Sequence, residues 1–282
     1  MSFTILIGID GAEGGVDALA LARRVAPEGA DLVAVTVAVM DGHPSRAVNL
    51  DYDRGVREDA HLRLGEVRAE HRDVHGEVRE ARSVAVGLHA AAESLGADLI
   101  VVGSCRRGLV GRIFAGDDVR ETLRGAPCPV AVAPREFALV DRPVVTIGLG
   151  WDGGAEADHA LAYARGLAGD TGATVHVLSV VAVPEWPVSE GTTTDPEIAS
   201  AVERVAGLLD ALDDVESSTV TGDAVDELAT FAAEVDVLVV GSHQRGPLGR
   251  IAMGSTSERL ACRSTRPLIV VPRAPQPAVS PA

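Results

Sequence analysis

The chain has 282 residues, of which 46% are hydrophobic, and its formal net charge at pH 7 is −16. This length allows one large domain, or two ordinary domains that each bury a core of their own. Aromatic residues make up 3% of the chain and lysine is absent, so the chain lacks both the stacking platforms and the basic face of a nucleic-acid binder. We therefore expect no nucleic-acid partner.

The three cysteines, Cys105, Cys128 and Cys262, stand at unrelated positions in the two halves of the chain. This spacing argues against a disulfide framework and favours a reducing compartment. The first apolar run starts almost at Met1, and no apolar run approaches the length of a membrane span. The sequence thus predicts a cytoplasmic protein with no signal peptide and no membrane contact.

The first half alternates predicted strands and helices. It opens with an apolar strand at 4–9, a helix in which Ala18, Ala22 and Val25 keep helical spacing, and a strand at 32–39. A polar loop is predicted to follow at 41–53. The remaining elements predicted here are a helix at 56–71, a strand at 77–81, a helix at 84–95, a strand at 98–102, a helix at 117–124 and a strand at 129–133.

The same series restarts at Val144, after a connector at 136–143. Asp195 and Pro196 are predicted to be the N-cap and the first residue of a helix, and its apolar stripe is predicted to pack in the core. The stripe comprises Ile198, Val202, Val205, Leu208, Leu209 and Leu212. The other predicted elements are strands at 144–149, 173–181, 217–221, 237–240 and 268–271, and helices through Leu161 and Leu167, at 224–233 and from Ser255. Residues 273–282 are rich in proline and are expected to form a disordered tail.

Residues 237–262 read as an apolar strand that ends at Gly241, a glycine-rich loop, and a helix that opens at Ser255. Ser255 and Glu258 have the spacing of a capping box. A strand, a glycine loop and a helix N-terminus in this order form a cradle for an anion, because free backbone N–H groups and the helix dipole converge there. A phosphate-bearing ligand is the first hypothesis. The alternative is that the glycines only shape a turn and Ser255 only caps the helix.

The chain contains this stretch twice, because residues 99–123 repeat it at a constant offset. The matched pairs are Gly103 and Gly241, Ser104 and Ser242, Arg107 and Arg245, Gly108 and Gly246, Gly111 and Gly249, Arg112 and Arg250, Ile113 and Ile251, and Gly116 and Gly254. The loop at 103–112 contains three arginines and the loop at 241–250 contains two, with no acid in either. A turn alone would not need the arginines, whereas a positive loop on an acidic chain favours an anionic ligand.

The repeated β/α pairs predict two doubly wound α/β domains, each with helices on both faces of a five-stranded parallel sheet. Ligands of such sheets lie beyond the carboxyl ends of the strands, where the strand order reverses. Asp10 and Asp152 end the first strands, and Gly103 and Gly241 end the fourth. These residues meet only if strands one and four are neighbours in each half.

In these features the chain resembles a tandem member of the universal stress protein family. The resemblance rests on the two glycine loops, the strand-one aspartates and the apolar ends of strand two, which are Val37 and Val180. It implies the strand order 3-2-1-4-5 of adenine nucleotide alpha hydrolase-like domains. The domains implied are residues 1–138, with a degenerate nucleotide loop, and residues 144–272, with a better preserved one.

ATP-binding members of the family share a pattern of glycine, two residues, glycine, nine residues, glycine and then serine or threonine. Both loops depart from this pattern at its second glycine, where Gln244 and Arg106 stand. The resemblance implies that ATP, with Mg²⁺ on its phosphates, is held in the second half by Asp152, Val180, Gly241, Gln244, Arg245, Gly254, Ser255 and Thr256. The matching positions in the first half are Asp10, Val37, Gly103, Arg106 and Gly116.

The two helix starts differ in charge. Ser255 can cap its helix and still donate to a phosphate oxygen, whereas Asp117 places a carboxylate at the same point and Asp118 adds a second one. We therefore predict that the second half holds ATP and that the first half binds it weakly or not at all, because like charges repel at this range. Arg107 and Arg112 either offset these acids or pair with them.

Two further assignments have alternatives. Arg245 and Arg250 are predicted to clamp phosphates, because their loop excludes acids, and the alternative is that they are solvated surface residues. Asp10 and Asp152 are predicted to lie by the adenine and ribose, as the resemblance implies. The alternative for both aspartates is a structural role at the turn before a glycine.

The resemblance implies an ATP-binding protein of the stress response, in which bound nucleotide alters conformation or partner binding. It is not expected to be an enzyme, although slow ATP hydrolysis or autophosphorylation at Ser255 stays open despite the lack of a visible base. The alternative is a nucleotide-free structural module that works through protein contacts. Because fifth strands meet in family dimers, strands 130–133 and 268–271 are expected to pair within this chain, and a homodimer of the chain stays open.

Overall fold

The computed structural model describes residues 2–11, 13–40, 46–104, 117–183, 196–242, 250–251 and 254–273. The first half contains five strands and four helices within these ranges. Its strands are β1 (Thr4–Gly8), β2 (Asp31–Val39), β3 (His75–Ala81), β4 (Leu99–Gly103) and β5 (Val130–Ala133). Its helices are α1 (Glu13–Val25), α2 (Arg46–Glu70), α3 (Val84–Leu95) and α4 (Asp117–Leu123).

The described part of the second half repeats this order of elements. Its strands are β6 (Thr146–Gly150), β7 (Thr174–Ala182), β8 (Glu216–Gly222), β9 (Val237–Gly241) and β10 (Leu268–Val271). Its helices are α5 (Ala155–Thr171), α6 (Pro196–Leu209), α7 (Ala224–Ala232) and α8 (Ser255–Arg263). Within the described ranges, no helix is both long and apolar enough to cross a membrane.

The strands form one sheet in the order β3-β2-β1-β4-β5-β10-β9-β6-β7-β8. Strands one and four are neighbours in each half, as predicted: β1 lies between β2 and β4, where Ile7 pairs with Ala34 and Val101, and β6 lies between β7 and β9. The strand order reverses at β1 and at β6. A crevice can therefore open at the carboxyl ends of β1 and β4 and of β6 and β9.

β5 and β10 run antiparallel at the middle of the sheet, with Val130 opposite Val270 and Val132 opposite Leu268. Every residue of both strands is at most 1% exposed, which agrees with their unbroken apolar sequences. The outer strands β3 and β8 are more polar, and residues such as Glu80 and Glu216 are exposed. Charged residues at these outer positions disfavour pairing with further strands.

Each face of the sheet carries an apolar layer that runs through both halves. One layer includes Leu21 of α1 and Leu161 of α5, and the other includes Leu88 of α3 and Leu228 of α7. Cys128 belongs to the second layer as a free, buried thiol, and burial raises its pKa to about 12. Cys128 therefore acts as a packing residue of this layer.

Two helices differ from the predictions. α2 begins at Arg46, inside the stretch predicted to be a loop, because no proline or glycine interrupts residues 46–54 and pairs such as Asp51 with Arg54 support an exposed helix. The stripe on α6 packs less completely than predicted. Leu209 is 2% exposed but Leu208 is 54% exposed, because α6 packs mainly on β7 and β8 at the outer side of the sheet. Asp195, the predicted N-cap, and most of the tail at 273–282 lie outside the described residues.

The connector between the halves is folded against α1. A 3₁₀ turn spans Phe137–Leu139, and the buried carboxylate of Asp17 accepts hydrogen bonds from the amides of Glu136 at 2.9 Å and Ala138 at 2.8 Å. An aspartate inside a helix thus organises backbone 119 residues away. The sequence pattern, read locally, identified this segment only as a connector.

Candidate functional site

A cleft of about 240 Å³ lies at the carboxyl ends of β6, β7 and β9. It is the crevice that the strand order predicts in the second half. Its lining residues are Gly150, Trp151, Asp152, Glu156, Ala157, Leu178, Val180, Ala224, Leu228, Val240, Gly241, Gly254, Thr256 and Ser257. Five of the predicted second-half residues are therefore brought together: Asp152, Val180, Gly241, Gly254 and Thr256.

One wall of the cleft is apolar. Leu178 and Val180 of β7, Leu228 of α7 and Val240 of β9 lie here, beside the largely buried Trp151. Such a surface suits a flat ring system, which gains free energy when its faces leave water. Leu178, Leu228 and Trp151 are missing from the prediction, although Trp151 directly precedes Asp152 in the sequence.

Asp152 has a structural role at the turn before a glycine, and it also lines the cleft. Its Oδ1 atom accepts a hydrogen bond from the amide of Gly154 at 2.9 Å, which closes the turn into α5. Gly153 within this turn has φ 77°, a left-handed conformation that favours glycine. The turn therefore positions an exposed carboxylate at the rim of the apolar wall.

Gly241 permits a close approach between the end of β9 and the first turn of α5. A Cβ atom at this position would lie 2.9 Å from the carbonyl oxygen of Glu156. A larger residue would therefore push α5 away from the strand and change the floor of the cleft. The glycine that ends strand four is required by packing, whether or not a ligand binds.

The start of α8 differs from the predicted capping box. Gly254 is the N-cap, with φ −80° and ψ 161°, and Ser255 is the first helical residue. The helical hydrogen-bond ladder begins with the amide of Glu258 donating to the carbonyl of Gly254 at 3.0 Å. Glycine has no side chain with which to cap, and the hydroxyl of Ser257 points back to the Gly254 carbonyl at 3.2 Å. Among the described side chains, none caps the first-turn amides of α8, and these amides lie where Gly254, Thr256 and Ser257 line the cleft.

Arg250, which was predicted to clamp a phosphate, is directed towards the first half of the chain in this structure. Its guanidinium donates to the carbonyl of Gly125 at 2.8 Å and forms an ion pair with Glu93 of α3 in the first half. Two backbone hydrogen bonds reinforce this contact, from Gly125 to Ile251 at 2.8 Å and from Ile251 to Ala126 at 2.9 Å. We call this set of contacts the 250–251 clasp. It joins the end of the second glycine loop to the first half.

The corresponding region of the first half is packed differently. A Cβ atom at Gly103 would overlap the carbonyl of Gly14 in α1, and a Cβ atom at Gly87 would lie 2.6 Å from Val37. The backbones of α1 and α3 therefore close directly on the end of β4 and on Val37. Asp10 is exposed at the end of β1. The side chain of Arg63 from α2 lies against Gly11, the residue after Asp10.

Several predicted residues lie outside the part of the chain that the structure describes. They are Gln244 and Arg245 of the second loop, and Arg106, Arg107, Arg112 and Gly116 of the first. The side chains of Asp117 and Ser255 are also outside it, whereas Asp118 is exposed at the start of α4. Among the described His, Cys, Asp and Glu side chains, no group of three or more is placed to hold a metal ion.

Comparison with known proteins gives the same family on both halves. The model of the universal stress protein family matches residues 1–134 and 145–272. A universal stress protein of Mycobacterium tuberculosis is 32% identical over 181 residues, which is 62% of this chain and 61% of that protein. Another from the same organism is 25% identical over 296 residues, covering 95% of this chain and 99% of its own length.

Solved structures show the same fold. A universal stress protein from Archaeoglobus fulgidus covers 96% of this chain and 98% of its own, with a TM-score of 0.69 and 20% identity. A universal stress protein of this type from Pseudomonas aeruginosa covers 95% and 92%, with a TM-score of 0.62 and 19% identity. Because the family model matches both halves in succession, the chain belongs to the universal stress protein family as a tandem, two-domain member.

Proposed function

We propose that this protein binds one ATP molecule in the cleft of its second half, with Mg²⁺ on the phosphates, and that nucleotide occupancy controls its contacts in the stress response. The observation that carries the proposal is that an apolar wall and the N-terminus of α8, at which no described side chain forms a cap, line one cleft. An apolar wall suits adenine, and the N–H groups of a helix N-terminus suit phosphate. ATP carries both groups at opposite ends of a ribose.

Each described residue has a part in this arrangement. Leu178, Val180 and Leu228 enclose the base, and the carboxylate of Asp152 accepts from a ribose hydroxyl. The first-turn amides of α8 donate to the phosphates, beside the hydroxyl of Thr256. The cleft of about 240 Å³ is slightly smaller than the roughly 300–1,000 Å³ of typical small-molecule sites. It therefore holds the adenosine, and the triphosphate extends along the start of α8 towards solvent.

The first half is proposed not to hold nucleotide. The backbone of α1 lies closer to Gly103 than that of α5 lies to Gly241, α3 closely approaches Val37 at Gly87, and Asp118 adds negative charge at the start of α4. The protein is accordingly a nucleotide-responsive binding protein of the cytoplasm and not an enzyme. Slow turnover of the bound ATP would be a secondary property.

Calorimetric titration with Mg-ATP tests this proposal and should give one site per chain. The Asp152→Asn variant should bind about tenfold more weakly, because a neutral amide replaces a charged acceptor. Asp10→Asn is the matched control in the first half and should bind like the wild type. Thr256→Asp should lose more affinity than Thr256→Ser, because it places a carboxylate beside the phosphates.

Two results would contradict the proposal. Loss of affinity in Asp10→Asn but not in Asp152→Asn would place the nucleotide in the first half. A gently purified protein that carries no nucleotide by mass spectrometry and releases no heat with Mg-ATP would identify the nucleotide-free interaction module instead.

A further inference from the structure

A second pocket, of about 310 Å³, lies where the connector crosses the junction of the two halves. The connector residues around the 3₁₀ turn form one side of it. The other side comes from Arg24 of α1, from Asp236 just before β9 and from Arg266 just before β10. This pocket is therefore near the amino end of β9, whereas the proposed nucleotide cleft is near its carboxyl end.

The pocket is positively charged on an acidic chain. Four arginines line it, Arg24, Arg135, Arg142 and Arg266, together with two acids, Glu136 and Asp236. The formal excess is two positive charges, while the whole chain has a net charge of −16. A local positive site on a negative body selects anions from solution.

Two of the four arginines already have carboxylate partners. Arg142 donates to Asp236 at 2.8 Å, and Arg135 lies 3.8 Å from the carboxylates of Glu13 and Glu136. Asp236 is 6% exposed and also accepts from the amides of Val145 and Thr146. The negative charge of Asp236 therefore already interacts with groups of the fold itself.

The other two arginines, Arg24 and Arg266, lack such partners among the described residues. Arg24 stands 4.3 Å from the centre of the Phe137 ring and donates to the carbonyl of Val140. Neither Arg24 nor Arg266 forms an ion pair with any residue in the described ranges. Burial lowers the pKa of Arg24, and the charge of nearby Asp141 opposes this effect only in part. An anion in the pocket would provide a counter-charge for these two arginines.

Most of the other lining residues are apolar, and two of them are unusually accessible to water. Leu139 is 79% exposed and Val140 is 49% exposed, and both line the pocket. Val145, next to the lining residue Val144, is 50% exposed. Clustered exposed apolar residues beside positive charges are typical of a binding surface, and a ligand with an apolar body would remove them from water.

The backbone at this pocket is held in an unfavourable conformation. Glu136 has φ 63° and ψ 22°, the left-handed region that residues with a Cβ atom rarely adopt. The hydrogen bonds from Glu136 and Ala138 to the buried carboxylate of Asp17 hold it there. Such strain is concentrated at ligand sites, where it fixes the geometry in advance. Here it presents the ring of Phe137 and the carbonyl of Val140 to Arg24.

We propose that this pocket binds a small amphipathic anion, a carboxylate attached to an apolar chain, whose head pairs with Arg24 and Arg266 and whose chain covers Leu139 and Val140. The volume of about 310 Å³ is at the lower end of the ~300–1,000 Å³ of small-molecule sites. It therefore suits a short acyl chain and not a folded partner. The proposal does not depend on the nucleotide cleft.

Calorimetric titration of the full chain with octanoate tests this assignment. The wild type should bind octanoate, while acetate and octanamide should bind at least about tenfold more weakly, because each lacks one of the two matching groups. Arg266→Ala should weaken octanoate binding about tenfold or more. Arg204→Ala, on the exposed surface of α6, is the matched control and should leave it unchanged.

Arg266 is the residue to substitute, because Arg24→Ala would remove a side chain that packs on Phe137 and can disturb the turn. Circular dichroism verifies the fold of each variant. No octanoate binding by the wild type, or unchanged binding by a folded Arg266→Ala variant, would overturn the proposal. Equal affinity for acetate would overturn the amphipathic assignment. Asp152→Asn should bind octanoate like the wild type, so failure of the nucleotide proposal would not be confused with failure of this one.

Discussion

The two halves repeat one fold but close their strand ends differently. In the first half, Gly14 and Gly87 stand in the first turns of α1 and α3, and both helices approach the sheet so closely that a Cβ atom has little or no room. The same positions in α5 and α7 carry Glu156 and Glu227. In the second half a cleft lies beneath these helices, lined by Glu156. The two halves therefore differ in which residues begin the helices beside the strand ends, and α1 lies closer to Gly103 than α5 lies to Gly241.

This difference adds a second reason to expect that the two halves bind nucleotide unequally. The sequence suggested charge alone, through Asp117 and Asp118. The structure shows in addition that backbone atoms of α1 lie against the end of β4. Charge would weaken a phosphate contact, whereas closer packing of α1 would reduce the room beside the end of β4. The two effects act on different parts of a nucleotide and can be separated by mutation.

The largest expected effect distinguishes the packing at the two strand ends. Gly103→Ala should lower the free energy of unfolding by about 3 kcal/mol, because its Cβ atom would overlap the Gly14 carbonyl and backbone must move. Gly241→Ala should cost about 1.5 kcal/mol, because its Cβ atom would lie 2.9 Å from the carbonyl of Glu156. Urea unfolding of both variants measures the difference. Equal losses would show that the two helix starts approach their strands alike.

A smaller effect is expected at two aspartates that precede the fourth strands. Asp98 is exposed and accepts from the amide of Thr4 at 2.8 Å. Asp236 is buried and accepts from the amides of Val145 and Thr146, from the Thr146 hydroxyl and from Arg142. Asp236→Asn should therefore cost about 2 kcal/mol at pH 7, and Asp98→Asn about 0.5 kcal/mol.

Acid should reduce the difference in free energy of unfolding between the wild type and Asp236→Asn. Burial raises the pKa of Asp236, but hydrogen bonds from Val145 and Thr146 and the charge of Arg142 outweigh burial and hold the pKa below its usual value. A carboxylate with a lowered pKa stabilises the fold above its unfolded-state pKa, and this stabilisation is lost as the pH falls through the folded-state value. The gap between wild type and Asp236→Asn should thus narrow below about pH 4. A gap that stays constant between pH 7 and pH 3 would contradict this account.

Much of the fold could be predicted from local patterns. The unalternating apolar runs of β4 and β9 identify buried parallel strands, and the repeated glycines place the two crevices. The N-cap of α8 could not be predicted in the same way. Ser255 and Glu258 have capping-box spacing, yet the N-cap is Gly254, one residue earlier. The backbone angles that set this position are not evident from the residue types.

Contacts between distant residues were also beyond the sequence patterns. Arg250 looks like a phosphate ligand because its loop contains no acid, but its partner, Glu93, is 157 residues away in the other half. Asp17 likewise reads as one polar residue on a helix, while its partners lie in the connector. Each depends on how the two halves are joined through β5 and β10. The sequence patterns of one half alone carry no information about that arrangement.

The smallest expected effect concerns the 250–251 clasp and shows whether Arg250 belongs to the fold or to a ligand. Arg250 and Glu93 are 40% and 49% exposed, so solvent screens their attraction, and a double-mutant cycle of Arg250→Ala and Glu93→Ala should give a coupling of about 0.5 kcal/mol. The affinity for Mg-ATP should change by less than about threefold in Arg250→Ala, because the guanidinium faces the first half and not the cleft. If Arg250→Ala lowers the affinity for Mg-ATP tenfold or more and Glu93→Ala does not, Arg250 would instead be a phosphate ligand. A comparable loss in both variants would show that the first half positions the second glycine loop, which would give the two unequal halves a joint role in one site.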